Sequence, residues 1–222
     1  SLNQFRPAPP PALSSAAYAA AVDETRALGG AISAVRTPEQ LETARFHTEP
    51  PPSAVTRNLG RFASSTENVG DAARLMAVIY VSFADAIGAC FEAKYHYQSW
   101  RPVSAIHMAD TDGNDATVPD AAWAPSLPTP NHPEYPAAHS CTSGSLGEAL
   151  RSFYGTPEVT FTWDSTVTNT TRTYAGIDAF NAEAGMARIH GGMHFRHATV
   201  AGEMLGREVA QWVAQRHFGR ED

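Results

Sequence analysis

Cysteine, long apolar runs and excess positive charge are all scarce in this chain of 222 residues, and each shortage excludes something. Cys90 and Cys141 are the only two thiols. They are too few for a disulfide framework, and no CxxC or zinc-ligand spacing surrounds them. An oxidising compartment could bridge them, but a pair of buried, inert thiols is the plainer expectation. The longest apolar run, Leu75 to Ala84, is too short to cross a bilayer and stops at Asp85, so no membrane span is expected. Sixteen Lys and Arg against 23 Asp and Glu give a formal charge of −7. That balance disfavours a general nucleic-acid or anionic-membrane binder without excluding a local cationic pocket. Ser1 to Phe5 lead straight into prolines, so this start is not expected to be a signal peptide, and with no initiator Met a processed or cloned fragment stays open. Localisation is left open, with a secreted or periplasmic setting favoured.

What remains is a folded composition, 43% hydrophobic and 18% charged. Residues 1–13 are expected to form an extended, Pro-rich arm, and 14–222 a single helical domain. Ser14 or Ser15 caps an Ala-rich helix that Gly29-Gly30 stops. Thr37, Pro38 and Gln40 spell a capping box. That helix fails at Pro50-Pro51-Pro52, and Ser53 is the expected cap of the next. A long apolar helix runs from about Asp71 toward Tyr97 on Leu75, Val78, Ile79, Phe83, Ile87 and Phe91. From Ser99 to Pro136 the periodicity disappears among prolines, and a functional loop is expected. Helix returns from His139 to Tyr154. A short hairpin fits about 159–173, where Asn169-Thr170-Thr171 is a lone glycosylation sequon. Two helices, about Asp178–Ile189 and Ala198–His217, complete an all-α chain.

Three clusters place cationic or imidazole groups where a helix meets a loop. In Lys94 to Pro102, Lys94 and Arg101 are two helical turns apart and can point to one side. In His132 to Ser140, a loop enters a helix, so free N–H groups and the positive helix end sit beside His139. In Ala187 to Arg196, Gly191-Gly192 breaks a helix and lets the backbone come close to a neighbour. Singly, each has a bland reading: Lys94 and Arg101 as solvated cations, His139 as a capping residue, Arg188 paired with Glu183 or Glu203.

Together, Lys94-x6-Arg101-Pro102, Pro136-x2-His139-Ser140 and Arg188-x5-His194 resemble the three signature motifs of the vanadium-dependent haloperoxidases. The type 2 phosphatidic acid phosphatase superfamily, with its bacterial acid phosphatases, shares those motifs. Trp100-Arg101-Pro102-Val103, His132-Pro133-Glu134-Tyr135-Pro136 and Gly191-Gly192-Met193-His194-Phe195-Arg196 are similar to the haloperoxidase branch. The resemblance implies a helical bundle with long active-site loops, holding a tetrahedral oxyanion. Lys94, Arg101, Arg188 and the Ala138 N–H would bind the oxyanion. His194 would be the vanadium ligand of a haloperoxidase using vanadate, halide and peroxide. In a phosphatase, which needs no cofactor, His194 would instead become a phospho-histidine during phosphomonoester cleavage. His139 would be the acid-base group in either case.

Against the family pattern, Ala137-Ala138 replaces Ser-Gly, removing a hydroxyl donor of a kind typically worth about 100- to 1,000-fold in rate. Ala198 stands where a carboxylate often orients the second histidine, so nothing obvious orients His194. Ala187 replaces a serine. By the resemblance an upstream helical segment is expected to be missing. Either the chain is a processed fragment or it is a minimal version whose exposed helix faces another subunit covers, and a homo-oligomer, most simply a dimer, is the expectation. Two rivals stay open: a zinc site on His190, His194 and His197, and a non-catalytic anion- or partner-binding protein on the same fold.

Overall fold

Proline decides where several helices begin. The computed structural model describes residues 1–219. Ser15 caps α1 (Ala16–Gly29), its hydroxyl accepting the Tyr18 N–H, and Thr37 with Gln40 closes the capping box of α2 (Pro38–Phe46). α3 (Pro51–Ala63) starts on prolines rather than after Ser53, which lies inside its first turn. A proline at the first helical position lacks only an N–H that has no intrahelical acceptor, and its fixed φ already suits the helix. The same physics corrects the expected structureless stretch from Ser99 to Pro136. Pro102 opens α5 (Pro102–His107), a 3-10 turn follows at Ala109–Thr111, and only 112–137 remains loop.

Asn68 caps the long α4 (Val69–Tyr97), whose chain turns at Gln98 in the left-handed region, φ 50°. α6 (Ala138–Tyr154) ends at Gly155, φ 75°. β1 (Phe161–Ser165) and β2 (Thr170–Tyr174) form an antiparallel hairpin with Phe161 opposite Tyr174. α7 (Ile177–His190) and α8 (Arg196–His217) complete the all-α architecture with its one small sheet. The first residues are not wholly extended, since Leu2–Phe5 form a 3-10 turn. The proline segment after it is pinned to the body. Tyr97 donates its hydroxyl to the Pro7 carbonyl, and Tyr135 to that of Ala8, both at 2.6 Å.

α6 and α8 form the most extensive helix contact, with α4 against both. Small residues make that closeness possible. A Cβ on Gly206 would strike the Cys141 carbonyl, and one on Gly202 the Ala137 carbonyl. Most of α6 is therefore sequestered, including the run Ser140 to Gly147. A second apolar sector joins α3, α4, the hairpin and α7 through Leu59, Phe62, Leu75, Ile79, Phe161 and Phe180. α4 as a whole is long and apolar enough to cross a bilayer, contrary to the expectation from run length. Its Leu75, Ile79, Ala86, Ala89, Cys90 and Ala93 are nonetheless fully buried inside the bundle. This is a core helix. Cys90 and Cys141 are both unbridged and buried where α4 meets α6.

Candidate functional site

Four elements converge at one end of this bundle. Lys94, the chain's only lysine, comes from the last turn of α4, and Arg101 is the N-cap of α5. His139 stands in the first turn of α6, while Arg188 lies near the end of α7 and His194 in the glycine-broken link to α8. Lys94, Arg101, Arg188 and His194 are all buried, the most exposed being Arg101 at 6%. Buried cations that close to one another are costly unless something negative compensates them.

Their partners show how little negative charge the protein itself supplies. Lys94 Nζ donates to the carbonyls of Pro133 (2.7 Å) and Glu134 (3.0 Å). Arg101 donates to the His132 carbonyl at 2.9 Å and the Met193 carbonyl at 2.8 Å. Its Nη1 also lies 2.9 Å from His194 Nε2. Arg188 donates to the His47 carbonyl at 3.2 Å and to Met193 Sδ at 2.9 Å. It pairs with neither Glu183 nor Glu203. Its Nε is buried with no hydrogen-bond partner among the described residues. A thioether is a weak acceptor, so this guanidinium is under-satisfied. The cost shows in the ionisation of all three cations. Burial pulls Lys94 down to about 8, Arg101 to about 10 and Arg188 to about 9.

α6 adds backbone donors. Its N-cap is Ala137, with no side-chain cap bond, so the N–H groups of Ala138 and its neighbours lack the usual hydroxyl or carboxylate acceptor. A positive helix end, three buried cations and an orphaned guanidinium N–H make a donor set in excess of its acceptors. Vanadate or phosphate fits that set.

The two histidines differ. His194 Nδ1 lies 3.0 Å from Glu134 Oε1, which also accepts the Phe195 N–H at 2.9 Å. With Nδ1 donating to this carboxylate, the lone pair is on Nε2, the nitrogen facing Arg101. Burial, then Arg101, pushes the His194 imidazolium well below the usual range, so the ring is neutral. This overturns the expectation that nothing orients His194. The carboxylate comes from the loop before α6 rather than from the residue four positions later. Glu134 itself is fully buried, and burial raises its carboxyl to about 7. The His139 ring has one hydrogen bond among the described residues, Nε2 to the Glu49 carbonyl at 3.2 Å, and it borders a cavity of about 40 Å³. Burial, then Arg188, lowers its pKa well below the usual value.

Two departures from the family pattern meet in space. Ala137 and Ala198 are both fully buried in one apolar cluster with Tyr135, and the Ala137 N–H donates to the Ala198 carbonyl at 2.9 Å. Ala187 is buried in α7. The proposed zinc ligands separate: His190 ends α7, His194 lies in the link, and His197 is in α8. Among the described residues no three His, Cys, Asp or Glu side chains come together as a metal cluster. Glu134 is the site residue that sequence reasoning passed over. The signal was its place within His132 to Pro136, a stretch already singled out.

The fold superposes on that of a bacterial vanadium-dependent iodoperoxidase with a TM-score of 0.80 and 25% identity, covering 97% of this chain and 54% of that one. It also matches an apo-type bacterial vanadium-dependent chloroperoxidase, with a TM-score of 0.77 and 19% identity over 98% of this chain and 53% of that one. A vanadium chloroperoxidase of Curvularia inaequalis is 29% identical over 102 residues, 41% of this chain and 16% of that enzyme. The chain thus spans about half of the solved relatives and a small part of the curated one. Residues 74–219 match the sequence family described as the VCPO second helical-bundle domain, and by that match, across more than half of its length, the chain belongs to the vanadium haloperoxidase superfamily.

Proposed function

We propose that the chain holds vanadate between Lys94, Arg101, Arg188 and the N-terminus of α6 at Ala138, with His194 Nε2 as the metal's protein ligand, and that it supports halide oxidation by peroxide. The observation that carries this reading is the pinned His194. Its Nδ1 is committed to Glu134, its ring is neutral, and its Nε2 lone pair accepts a hydrogen bond from Arg101, the contact that bound vanadate would have to replace. Bound vanadate would supply Lewis acidity toward peroxide without a change of redox state. The chain's own groups bind and orient. The guanidiniums of Arg101 and Arg188 offer forked donors, Lys94 a point charge, and Glu134 fixes the tautomer of His194. His139, whose ring makes one hydrogen bond among the described residues, to a carbonyl, is the group left to exchange protons.

The test measures vanadate binding by 51V NMR alongside bromide and iodide oxidation with hydrogen peroxide. Phosphomonoester hydrolysis without vanadate is assayed in parallel. Tight vanadate binding with halide oxidation is the expected result. Hydrolysis alone would move the assignment to the phosphatase branch. Binding without either reaction would make the chain an oxyanion-binding protein on this fold.

A further inference from the structure

The turn between α2 and α3 reaches the site with two carbonyls. That of His47 accepts from Arg188 Nη1 at 3.2 Å, and that of Glu49 lies 3.2 Å from His139 Nε2. Glu49 precedes Pro50, which biases it to extended backbone, and the N–H groups of Ser53 and Ala54 bond to the Pro50 carbonyl. The Glu49 carbonyl is thereby left for the histidine. Burial keeps the His139 ring neutral at neutral pH. A carbonyl oxygen can only accept, so the neutral ring carries its proton on Nε2 and its lone pair on Nδ1. Which nitrogen is open to proton exchange is set by one carbonyl.

Side chains of the same two residues anchor this turn. His47 Nε2 lies 2.9 Å from Glu183 Oε1 on α7. The Glu49 carboxylate is buried, 8% exposed, and takes Arg57 of α3 with both oxygens, Oε2 accepting from Nη2 at 2.6 Å. The Thr166 N–H, in the turn of the hairpin, also donates to Oε2, at 3.3 Å. Asp164 of β1 holds Arg57 from its other side. Nη2 donates to the Asp164 carbonyl at 2.8 Å and Nε to Oδ1 at 3.2 Å. The bonds from Arg57 hold the Glu49 carboxyl below its usual range, so it stays ionised. A forked guanidinium–carboxylate pair fixes direction as well as distance. A buried carboxylate that loses such a partner is costly, so Glu49 is confined to one place and its carbonyl with it.

We propose that Glu49 and Arg57 are positioning residues for His139: the forked pair, braced by the hairpin, aims the Glu49 carbonyl at Nε2 and so selects the Nε2–H tautomer of the ring. The Arg57 side chain bonds only Glu49 and Asp164 among the described residues, so its influence passes through the turn and not through the oxyanion. The β1–β2 hairpin thereby gains a task, since Asp164 and Thr166 hold the two partners of the pair. The catalytic weight of the pair rests on the proposed function, in which His139 exchanges protons. The tautomer itself does not.

The tautomer is read in the full chain, without vanadate, from the histidine ring 15N shifts at neutral pH. Loss of signals in His139→Gln assigns those of His139. An Nε2–H ring with an unprotonated Nδ1 is expected. Arg57→Met removes the fork and should bring in the Nδ1–H form. It should also lower halide oxidation about 10- to 100-fold through kcat, the scale of a displaced catalytic group, with vanadate affinity within about threefold. Arg57→Lys keeps a charge beside Glu49 and should recover part of both. A pair that serves stability alone would lower the denaturant midpoint and move neither the tautomer nor kcat. An Nδ1–H ring in the wild type overturns the proposal, as does an unchanged His139 signal or an unchanged kcat in Arg57→Met. Should Arg57→Met not fold, Glu49→Gln, which keeps the size and loses the charge, is read in the same way. If the wild type oxidises no halide, the proposed function falls, while the tautomer still decides whether the pair sets the ring.

Discussion

His194 and His139 carry the same side chain in two differently built regions. His194 is held at both ring nitrogens, by Glu134 on one side and Arg101 on the other, inside a cluster with three cations. His139 is held once, through a backbone carbonyl, and borders a small cavity on the α2–α3 side of the site. A ring fixed at both nitrogens can present a lone pair in one direction and do little else. A ring fixed at one nitrogen keeps the other for exchange. The contrast supports the proposed division, binding at His194 and proton transfer at His139, without appeal to the order of motifs.

The strongest way to break that contrast is to exchange the consequences. His139→Ala should lower halide oxidation by about 100- to 10,000-fold, the usual worth of a general acid-base group, while vanadate affinity stays within about threefold. A parallel fall in affinity would place His139 among the ligands of the oxyanion and end the distinction. Glu134→Gln tests the other half. It removes the carboxylate that fixes His194 but keeps the shape, and it should weaken vanadate about 10- to 100-fold. Equal affinity in wild type and variant would show that the Glu134–His194 pair is packing alone.

The unequal legibility of these two regions in the sequence has a physical cause. Local signals were readable: Ser15 and the Thr37–Gln40 box cap their helices because capping involves residues only three apart. Proline was readable as a helix start at Pro38 and as a break before Pro50, but the start at Pro51 was placed two residues late, at Ser53, and the start at Pro102 was lost in an expected loop. The cations and both histidines were singled out because they recur in spaced motifs. Glu134 was not, because its partner His194 is 60 residues away and no local pattern links a loop carboxylate to a helix junction. The family's usual position for that carboxylate, Ala198, drew attention to the wrong segment. The contact of Ala137 with Ala198 was hidden for the same reason: it exists only once α6 and α8 are packed.

The ionisation of the cluster sharpens the comparison in a different variable. Glu134 is raised from 4.5 to about 7, so the native protein keeps a proton there that the unfolded chain has lost, and stability falls as pH rises through that window. Lys94 is lowered from 10.5 to about 8, so between those values the unfolded chain binds the extra proton, and stability rises with pH. Below about 6.5 the depressed His139 and His194 oppose Glu134, so the signature of the cluster is read in the Lys94 window. Without a bound anion, denaturant stability should rise between about pH 8 and 9, before Arg188 titrates. Sulfate, which keeps its charge across this range, should stabilise the chain most below that window. Sulfate affinity itself should fall by up to about tenfold per pH unit once Lys94 loses its proton. A Lys94→Met chain should show neither the rise in stability nor that added loss of affinity. Identical profiles for the two chains would remove Lys94 from the oxyanion cluster.

The smallest expected effect concerns Ala137. By the family pattern alone, Ala137→Ser should restore an oxyanion donor and with it two or three orders of magnitude in rate. The packing argues for far less. Ala137 is fully buried against Ala198 and Tyr135, its N–H is spent on the Ala198 carbonyl, and a Cβ added at Gly202 would already meet the Ala137 carbonyl. A hydroxyl placed there is tightly confined, and unless it reaches the oxyanion it costs about 1–3 kcal/mol as an unpaired buried group. The expected result is a gain below about tenfold in halide oxidation, accompanied by a fall in denaturant midpoint. A gain of about 100-fold or more with unchanged stability would mean that the hydroxyl reaches the oxyanion, and that the apolar Ala137–Ala198 contact had only displaced a donor that α6 still has room to carry.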